Sequence, residues 1–322
     1  MSNSPFISNC TAGAIRDAAL ALKAGHLVAF PTETVYGLGA DARNPEAIKR
    51  IYEVKGRPTD HPLIVHISSF NQLDKWAIDV PEYAINLARK FWPGPMTLIL
   101  KRSENAGDFI TGGQDTVGLR VPSDPIAQAL ITEFEKISNS AIAAPSANRF
   151  GQVSPTSSAD VQEELSEYLD SVDRILDGGN SSIGIESTII DCTSDFPIIL
   201  RKGAITKSEV EAMLGIKISS ENNSGTKFSG SFDKHYSPKA QIILDSAPDE
   251  NDGFIALSTI PTPTNIVRLS APKDVQDFAR SLYSSLRKAD QSGIGRIVVA
   301  QPEGEGLAEA IRDRLAKAAN GR

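Results

Sequence analysis

Cysteine is nearly absent from this 322-residue chain: Cys10 and Cys192 are the whole inventory. Two thiols cannot build a disulfide framework, so reduced thiols are the simplest reading. No Cys/His spacing offers a structural zinc site. Long apolar runs are missing too. No stretch reaches the length of a membrane span, and Met1 to Cys10 lacks the basic start and apolar middle of a secretory signal. The expectation is a cytoplasmic protein with no membrane partner. Positive charge is also short. Lys and Arg total 33 against 40 Asp and Glu, a net charge of −7, which excludes a globally basic nucleic-acid binder. Any phosphate must therefore be gripped by local charge. No Gly-x-x-x-x-Gly-Lys-Ser/Thr loop occurs, which excludes a P-loop enzyme, and no Gly-x-Ser-x-Gly elbow of a serine hydrolase.

What is present is ordinary core material, with 40% apolar residues, over a length that suggests two domains. Strands and helices alternate. Thr11 to Gly25 reads as a helix capped by Thr11, and Leu27 to Phe30 as a strand. Asn44-Pro45 opens a second helix with Pro at its first position. Strands are expected at 63–67, 96–100, 117–121, 141–144, 174–176, 187–191 and 198–201. Helices are expected at 81–92, from 123, and at 158–169 and 208–214. The irregular interleaving predicts a mixed sheet. Ser219 to Ser231 is rich in Ser, Asn and Gly and reads as a linker. A second alternation follows, with strands at 242–244, 254–257, 266–269 and 297–300 and helices at 274–288 and 307–319. It predicts a small α/β domain with parallel strands. The division expected is 1–216, a linker over 217–239, and 240–322.

The densest chemistry follows the strand at 27–30: Pro31-Thr32-Glu33-Thr34-Val35-Tyr36-Gly37-Leu38-Gly39-Ala40-Asp41-Ala42. Gly37-x-Gly39-x-x-Ala42 fits a relaxed dinucleotide fingerprint, but six residues separate its first Gly from the strand and the next helix waits until Pro45. A tight turn with both glycines at positive φ is one alternative. A substrate loop offering the hydroxyls of Thr32, Thr34 and Tyr36 is the other. Close behind stand Lys55, Arg57, His61 and His66, two of the four histidines among them. Basic residues after a helix can merely complement its C-terminus. Crowded this way they favour a phosphate or carboxylate site, with Arg as the fork and Lys as the point charge. Arg120 and Arg201 each follow strand residues and face either solvent or a site. Ser146 and Asn148, then Ser154, and Ser187 end other strands, where α/β ligands collect.

Nine ordered segments together resemble the YrdC-like family, in its two-domain threonylcarbamoyl-AMP synthase branch. They are Pro31 to Gly39, Lys55 to Arg57, Pro62 to His66, Trp92 to Thr97, Val117 to Pro122, Ala144 to Asn148, Ser187 to Asp191, Leu200 to Gly203 and His235 to Pro238. The C-terminal part matches in placement and αβ pattern. The resemblance implies an α/β fold: a twisted open mixed-sheet catalytic domain plus a small Rossmann-like C-terminal domain. It implies a nucleotidyltransferase that makes threonylcarbamoyl-adenylate from L-threonine, bicarbonate and ATP. Pyrophosphate is released, and the product passes to the tRNA-modification machinery. Thr34, His66, Arg120, the Ala144 backbone and Ser187 fall on the threonine side. Arg57, His61, Thr116, Ser146, Asn148, Ser154, Arg201 and Tyr236 fall on the ATP side. Lys55 and Arg57 are the expected catalytic cations. Mg²⁺ is expected with ATP, without dedicated protein ligands. The family's positively charged concave face implies weak RNA binding.

Overall fold

The structure, a computed structural model, describes residues 5–218, 226–228, 230 and 236–320. Among the described residues the strands form two sheets. The strands of the first, in chain order, are Phe6–Asn9 (β1), Val28–Phe30 (β2), Gly37–Asp41 (β3), Ile64–His66 (β4), Met96–Lys101 (β5), Thr116–Arg120 (β6), Ile142–Ala143 (β7), Arg174–Asp177 (β8), Thr188–Asp191 (β9) and Ile198–Arg201 (β10). Across the sheet they run β1-β8-β2-β3-β7-β4-β6-β5-β9-β10. The sheet is mixed: β4 pairs β6 and β5 pairs β9 in parallel, while β2–β3, β4–β7, β5–β6 and β9–β10 are antiparallel. Neighbours in space are far apart in chain. Leu27 donates its N–H to Asp173 Oδ1 at 2.8 Å across 146 residues.

Strand alternation divides the sheet's two faces. Val65, Leu98, Val117, Leu119 and Ile190 point into one core under helices Pro45–Lys55 and Glu82–Phe91. At the β2–β7 end, Val28, Phe30 and Ile142 point the opposite way, into a second core with helices Ala12–Lys23 and Pro125–Ser138. The caps form as the sequence dictates. Thr11 accepts from Ala14 N, Asn44 from Glu46 N and Ala47 N, and Asp124 from Ile126 N and Ala127 N, with Pro45 and Pro125 opening their helices.

The second sheet comprises Gln241–Leu244 (β11), Gly253–Ile255 (β12), Val267–Ser270 (β13) and Arg296–Val299 (β14), in order β11-β14-β12-β13 and parallel throughout. Helices Val275–Gln291 and Leu307–Ala319 cover it. Its core, built on Phe278, Leu282, Tyr283, Ile297 and Ile311, is continuous with Val35, Val153 and Ile185 of the first unit. Gly184, at φ 85°, admits this contact: a Cβ there would fall 2.5 Å from Arg280 Cα.

The structure rules out one alternative for the loop at 31–42. Gly37 and Gly39 lie in β3, extended, not in a turn at positive φ. They are glycine because β3 lies against Phe30: a Cβ on Gly39 would meet Ile142 Cγ2 at 2.7 Å and Phe30 Cε1 at 2.9 Å. Strand β1 and helices Leu73–Trp76 and Asp108–Thr111 have no periodic signal long enough to reveal them. The helix expected at 158–169 ends at Leu165. Much of the linker expected at 219–231, and Lys234-His235, lie outside the described residues; Lys227 is docked on the first unit, its Nζ 2.7 Å from Asp60.

Candidate active site

The strand period that sends Val117 and Leu119 into the core sends Thr116, Gly118 and Arg120 to the other face. On β4 the same rule turns His66 that way, and the parallel register sets His66 opposite Arg120. Thr97 of β5 and Ser187 at the head of β9 meet there too, their hydroxyls 2.8 Å apart. Among the described residues no helix lines this half of the face, and a cavity opens on it. Eight of the expected residues line it: Thr34, His66, Arg120, Ala144, Ser146, Ser187, Arg201 and Tyr236.

Local chemistry shapes the walls. Thr32 Oγ1 donates to the Val35 carbonyl at 2.6 Å and accepts from Val35 N, so the chain bends and holds Thr34 beside it, with hydroxyls 2.9 Å apart. On the opposite wall Gly37 and Ser146 form an antiparallel bridge, and Ala144 N donates to the Ile64 carbonyl. Lys55 is completely buried and donates Nζ to the Ser146 carbonyl at 2.5 Å and to that of Asn148. Its donors go to shaping the strand end, and burial lowers its pKa well below the ordinary lysine value.

Three arginines lie deep in this region. Arg120 meets Glu33 at 2.8 Å, each about 5% exposed. Burial would raise the Glu33 carboxyl, but Arg120 holds it below the usual glutamate value. Burial, then the Arg120 charge, drops His66 to about 3, so its ring is neutral; Nδ1 lies 3.2 Å from the Ile64 carbonyl, and the ring meets Phe30 edge-on. Arg201 donates Nε to the Ser187 carbonyl at 2.9 Å and Nη2 to Ser187 Oγ at 3.0 Å. Arg57 donates Nη2 to the Pro62 carbonyl at 3.0 Å, and burial lowers it to about 10. Tyr236, at φ 63°, closes the cavity and stacks on Tyr283 with ring centres 5.7 Å apart.

Six of the expected residues do not line this cavity. Lys55 and Asn148 act through the backbone of the 144–152 segment, Asn148 donating to the Arg149 and Gln152 carbonyls. Arg57 lies behind the wall, and His61 packs against Phe150 at 5.3 Å between ring centres. Ser154 donates to Glu186 Oε1 at 2.7 Å. Thr116 faces a neighbouring hollow whose floor includes Ile64, Thr97 and Ile189 and whose roof is Lys227 and Phe228. Lys55 is the clearest departure: an anion-binding lysine needs an open ammonium, and this one is sealed under two carbonyls.

In the sequence Glu33 and Glu186 stand inside polar motifs without an assigned role, and Tyr283 and Arg314 belong to no motif. Glu186 lines the cavity and is held by Arg314 Nε at 2.8 Å and Tyr283 O–H at 2.9 Å. Arg314 falls on the apolar face of its helix, between Ile311 and Leu315, and that misplacement was the available signal.

The family model described as Telomere recombination, which groups Sua5, YciO and YrdC proteins, matches residues 20–203. The model of the threonylcarbamoyl-AMP synthase C-terminal domain matches residues 205–320. The chain is 41% identical to a threonylcarbamoyl-AMP synthase of Pyrococcus abyssi, covering 94% of this chain and 93% of that one. It is 39% identical to one of Bacillus subtilis, covering 96% and 93%. The crystal structure of P. abyssi Sua5 complexed with L-threonine superposes with a TM-score of 0.88 at 39% identity, over 98% of both chains. Among the described residues no helix is long and apolar enough to cross a membrane. The chain belongs to the family of two-domain threonylcarbamoyl-AMP synthases, enzymes that form an adenylate.

Proposed function

We propose that this chain makes threonylcarbamoyl-adenylate from L-threonine, bicarbonate and ATP in the cytoplasm, releasing pyrophosphate and supplying a tRNA-modification step beside the anticodon. The observation that carries the reading is that Thr34, neutral His66, Arg120 and Ser187 line one cavity together with Arg201, Ser146 and Tyr236. The relative crystallised with L-threonine supports threonine as the amino-acid substrate.

The threonine amine attacks a carbon dioxide equivalent derived from bicarbonate, with loss of water, and gives a carbamate. A carbamate oxygen then attacks the α-phosphate of ATP, and pyrophosphate leaves. Such a transfer asks for alignment and charge stabilisation more than for a protein nucleophile. Arg120 offers the guanidinium for the threonine carboxylate, in exchange for part of its contact with Glu33. Hydroxyls of Thr34 and Ser187 orient the substrate. Arg201, with Arg57 behind it, supplies positive charge toward the phosphates, and Tyr236 keeps water from the labile carbamate. The nearby carboxylates, Glu33 and Glu186, are already engaged by arginines, which fits a Mg²⁺ ion that arrives on the nucleotide. Bound there, the metal would share the charge of the polyphosphate.

The test is substrate dependence of pyrophosphate release. Release is expected only when threonine and bicarbonate are both present, with an adduct of threonylcarbamoyl-adenylate mass accumulating. Equal release without threonine would overturn the reading.

A further inference from the structure

The second unit reaches the cavity wall through a buried polar cluster. Glu186 lines the cavity, yet both its carboxylate oxygens are taken from behind. Oε1 accepts from Ser154, and Oε2 accepts from Tyr283 and from Arg314 Nε. Tyr283 and Arg314 belong to helices Val275–Gln291 and Leu307–Ala319, and neither is more than 1% exposed. Arg314 also donates to the Lys202 carbonyl at 2.9 Å, beside Arg201, and its guanidinium lies 5.4 Å from the Tyr236 ring centre. The helix that carries Tyr283 packs against Gly184, where any side chain would collide with Arg280.

A carboxylate in the wall of a site that accepts a polyphosphate is adverse, and it would compete with the phosphates for the nearest cation. That cation is Arg201, whose charge acts on Glu186 alongside that of Arg314. Burial favours the neutral acid, but Arg314 and then Arg201 hold Glu186 at about 2, so it is ionised at every working pH. With Arg314 in place, Glu186 is satisfied from the second unit, and Arg201 is directed to Ser187.

We propose that Arg314 and Tyr283 are positioning residues for the nucleotide: they neutralise and fix Glu186 from the second domain, so that Arg201 serves the phosphates and Tyr236 keeps its seat over the cavity. The role assigned to the second domain is thus electrostatic as well as steric. This inference rests on the reading of the cavity as an ATP site.

The test is ATP binding by calorimetry and steady-state kinetics on the full chain, for the native protein, Arg314→Met, Arg314→Met/Glu186→Gln and Tyr283→Phe. Removing one partner of a buried charge pair leaves the other uncompensated, so Arg314→Met should weaken ATP binding and raise its KM by about tenfold or more. The KM for threonine should change by less than about threefold. The double variant should recover most of the ATP affinity, because the offending charge is gone. A merely structural role for Arg314 would lower both affinities together and would not be rescued by Glu186→Gln. Either that pattern or unchanged ATP affinity in folded Arg314→Met overturns the proposal. If Arg314→Met does not fold, the double variant and Tyr283→Phe decide. Tyr283→Phe is expected to weaken ATP binding about threefold with threonine unaffected, and equal effects on both ligands overturn the proposal. If the native protein binds ATP but makes no threonylcarbamoyl-adenylate, the functional reading fails while the ATP titrations still judge the cluster.

Discussion

Glu33 and Arg120 meet at 2.8 Å at the cavity wall, both buried. The pair is a charge dipole built into the site. Removing Arg120 alone leaves a buried carboxylate without its cation. Arg120→Leu should therefore cost about 3–5 kcal/mol in urea unfolding near neutral pH. The native carboxyl is depressed, so its contribution is present above the ordinary glutamate value of 4.5 and is lost as pH falls through the lower folded value. In Arg120→Leu only backbone hydrogen bonds, from Ser123 and from Glu33 itself, still oppose burial, and the carboxyl rises. The penalty of the variant should thus shrink as pH is lowered toward the ordinary value. A penalty that stays constant with pH would show that charge is not its source.

His66 stays neutral because burial and Arg120 both disfavour its imidazolium, taking it from 6.5 to about 3. The unfolded chain binds a proton below 6.5 that the folded chain refuses until about 3. Stability from this group is therefore full above 6.5 and drains away between the two values. His66→Gln should flatten the stability profile in that window, read by denaturant melts at several pH values. It should not move an inflection in the activity profile near neutrality; a shift there would mean that His66 titrates in catalysis.

Lys55 holds the Ser146 and Asn148 carbonyls from within. Lys55→Met keeps the stem but leaves two buried acceptors unmet. The expected loss is about 1–3 kcal/mol of stability for each unsatisfied group. Activity should fall through a raised KM more than through kcat, because the loop and not the reacting atoms is displaced. An intact KM with a collapsed kcat would instead place the ammonium on the reacting phosphates.

The two glycines of β3 should differ. At Gly39 an added methyl overlaps Ile142 and Phe30, whereas at Gly37 the nearest atom is Phe30 Cζ at 3.3 Å. Gly39→Ala is predicted to cost about 1–3 kcal/mol by overpacking, and Gly37→Ala less than about 1 kcal/mol. Thermal melts of the two variants, side by side, test the ranking.

The residues that carry hydroxyls and charge were legible because polar groups stood where a strand should be apolar. His66 stood out in that way, whereas Arg120 was open between solvent and a site and Ser187 was read from a polar strand end. Lys55 was ambiguous because a lysine beside an arginine looks the same in sequence whether it faces a phosphate or a carbonyl; the fold turns it to the Ser146 and Asn148 carbonyls. β3 was hidden because the glycines that break strand propensity were selected for closeness to Phe30. Glu186 and Arg314 stand 128 residues apart, and no local pattern can pair them. The linker's Tyr236 was read from a motif, but its stacking on Tyr283 was not.

The bond between Leu27 and Asp173 spans 146 residues, and the β2–β8 pairing beside it joins segments equally far apart. β2 is flanked by β3, which emerges soon after it, and by β8, which emerges far later. During synthesis β2 therefore has one edge unsatisfied until most of the first unit exists. Loop-closure entropy of this kind slows folding and leaves apolar strands exposed meanwhile. Ser187 and Arg201 arrive later still, so no shorter N-terminal fragment contains a finished pocket. Competence comes at a single late moment of biogenesis, when the last strands join and the whole cavity appears together.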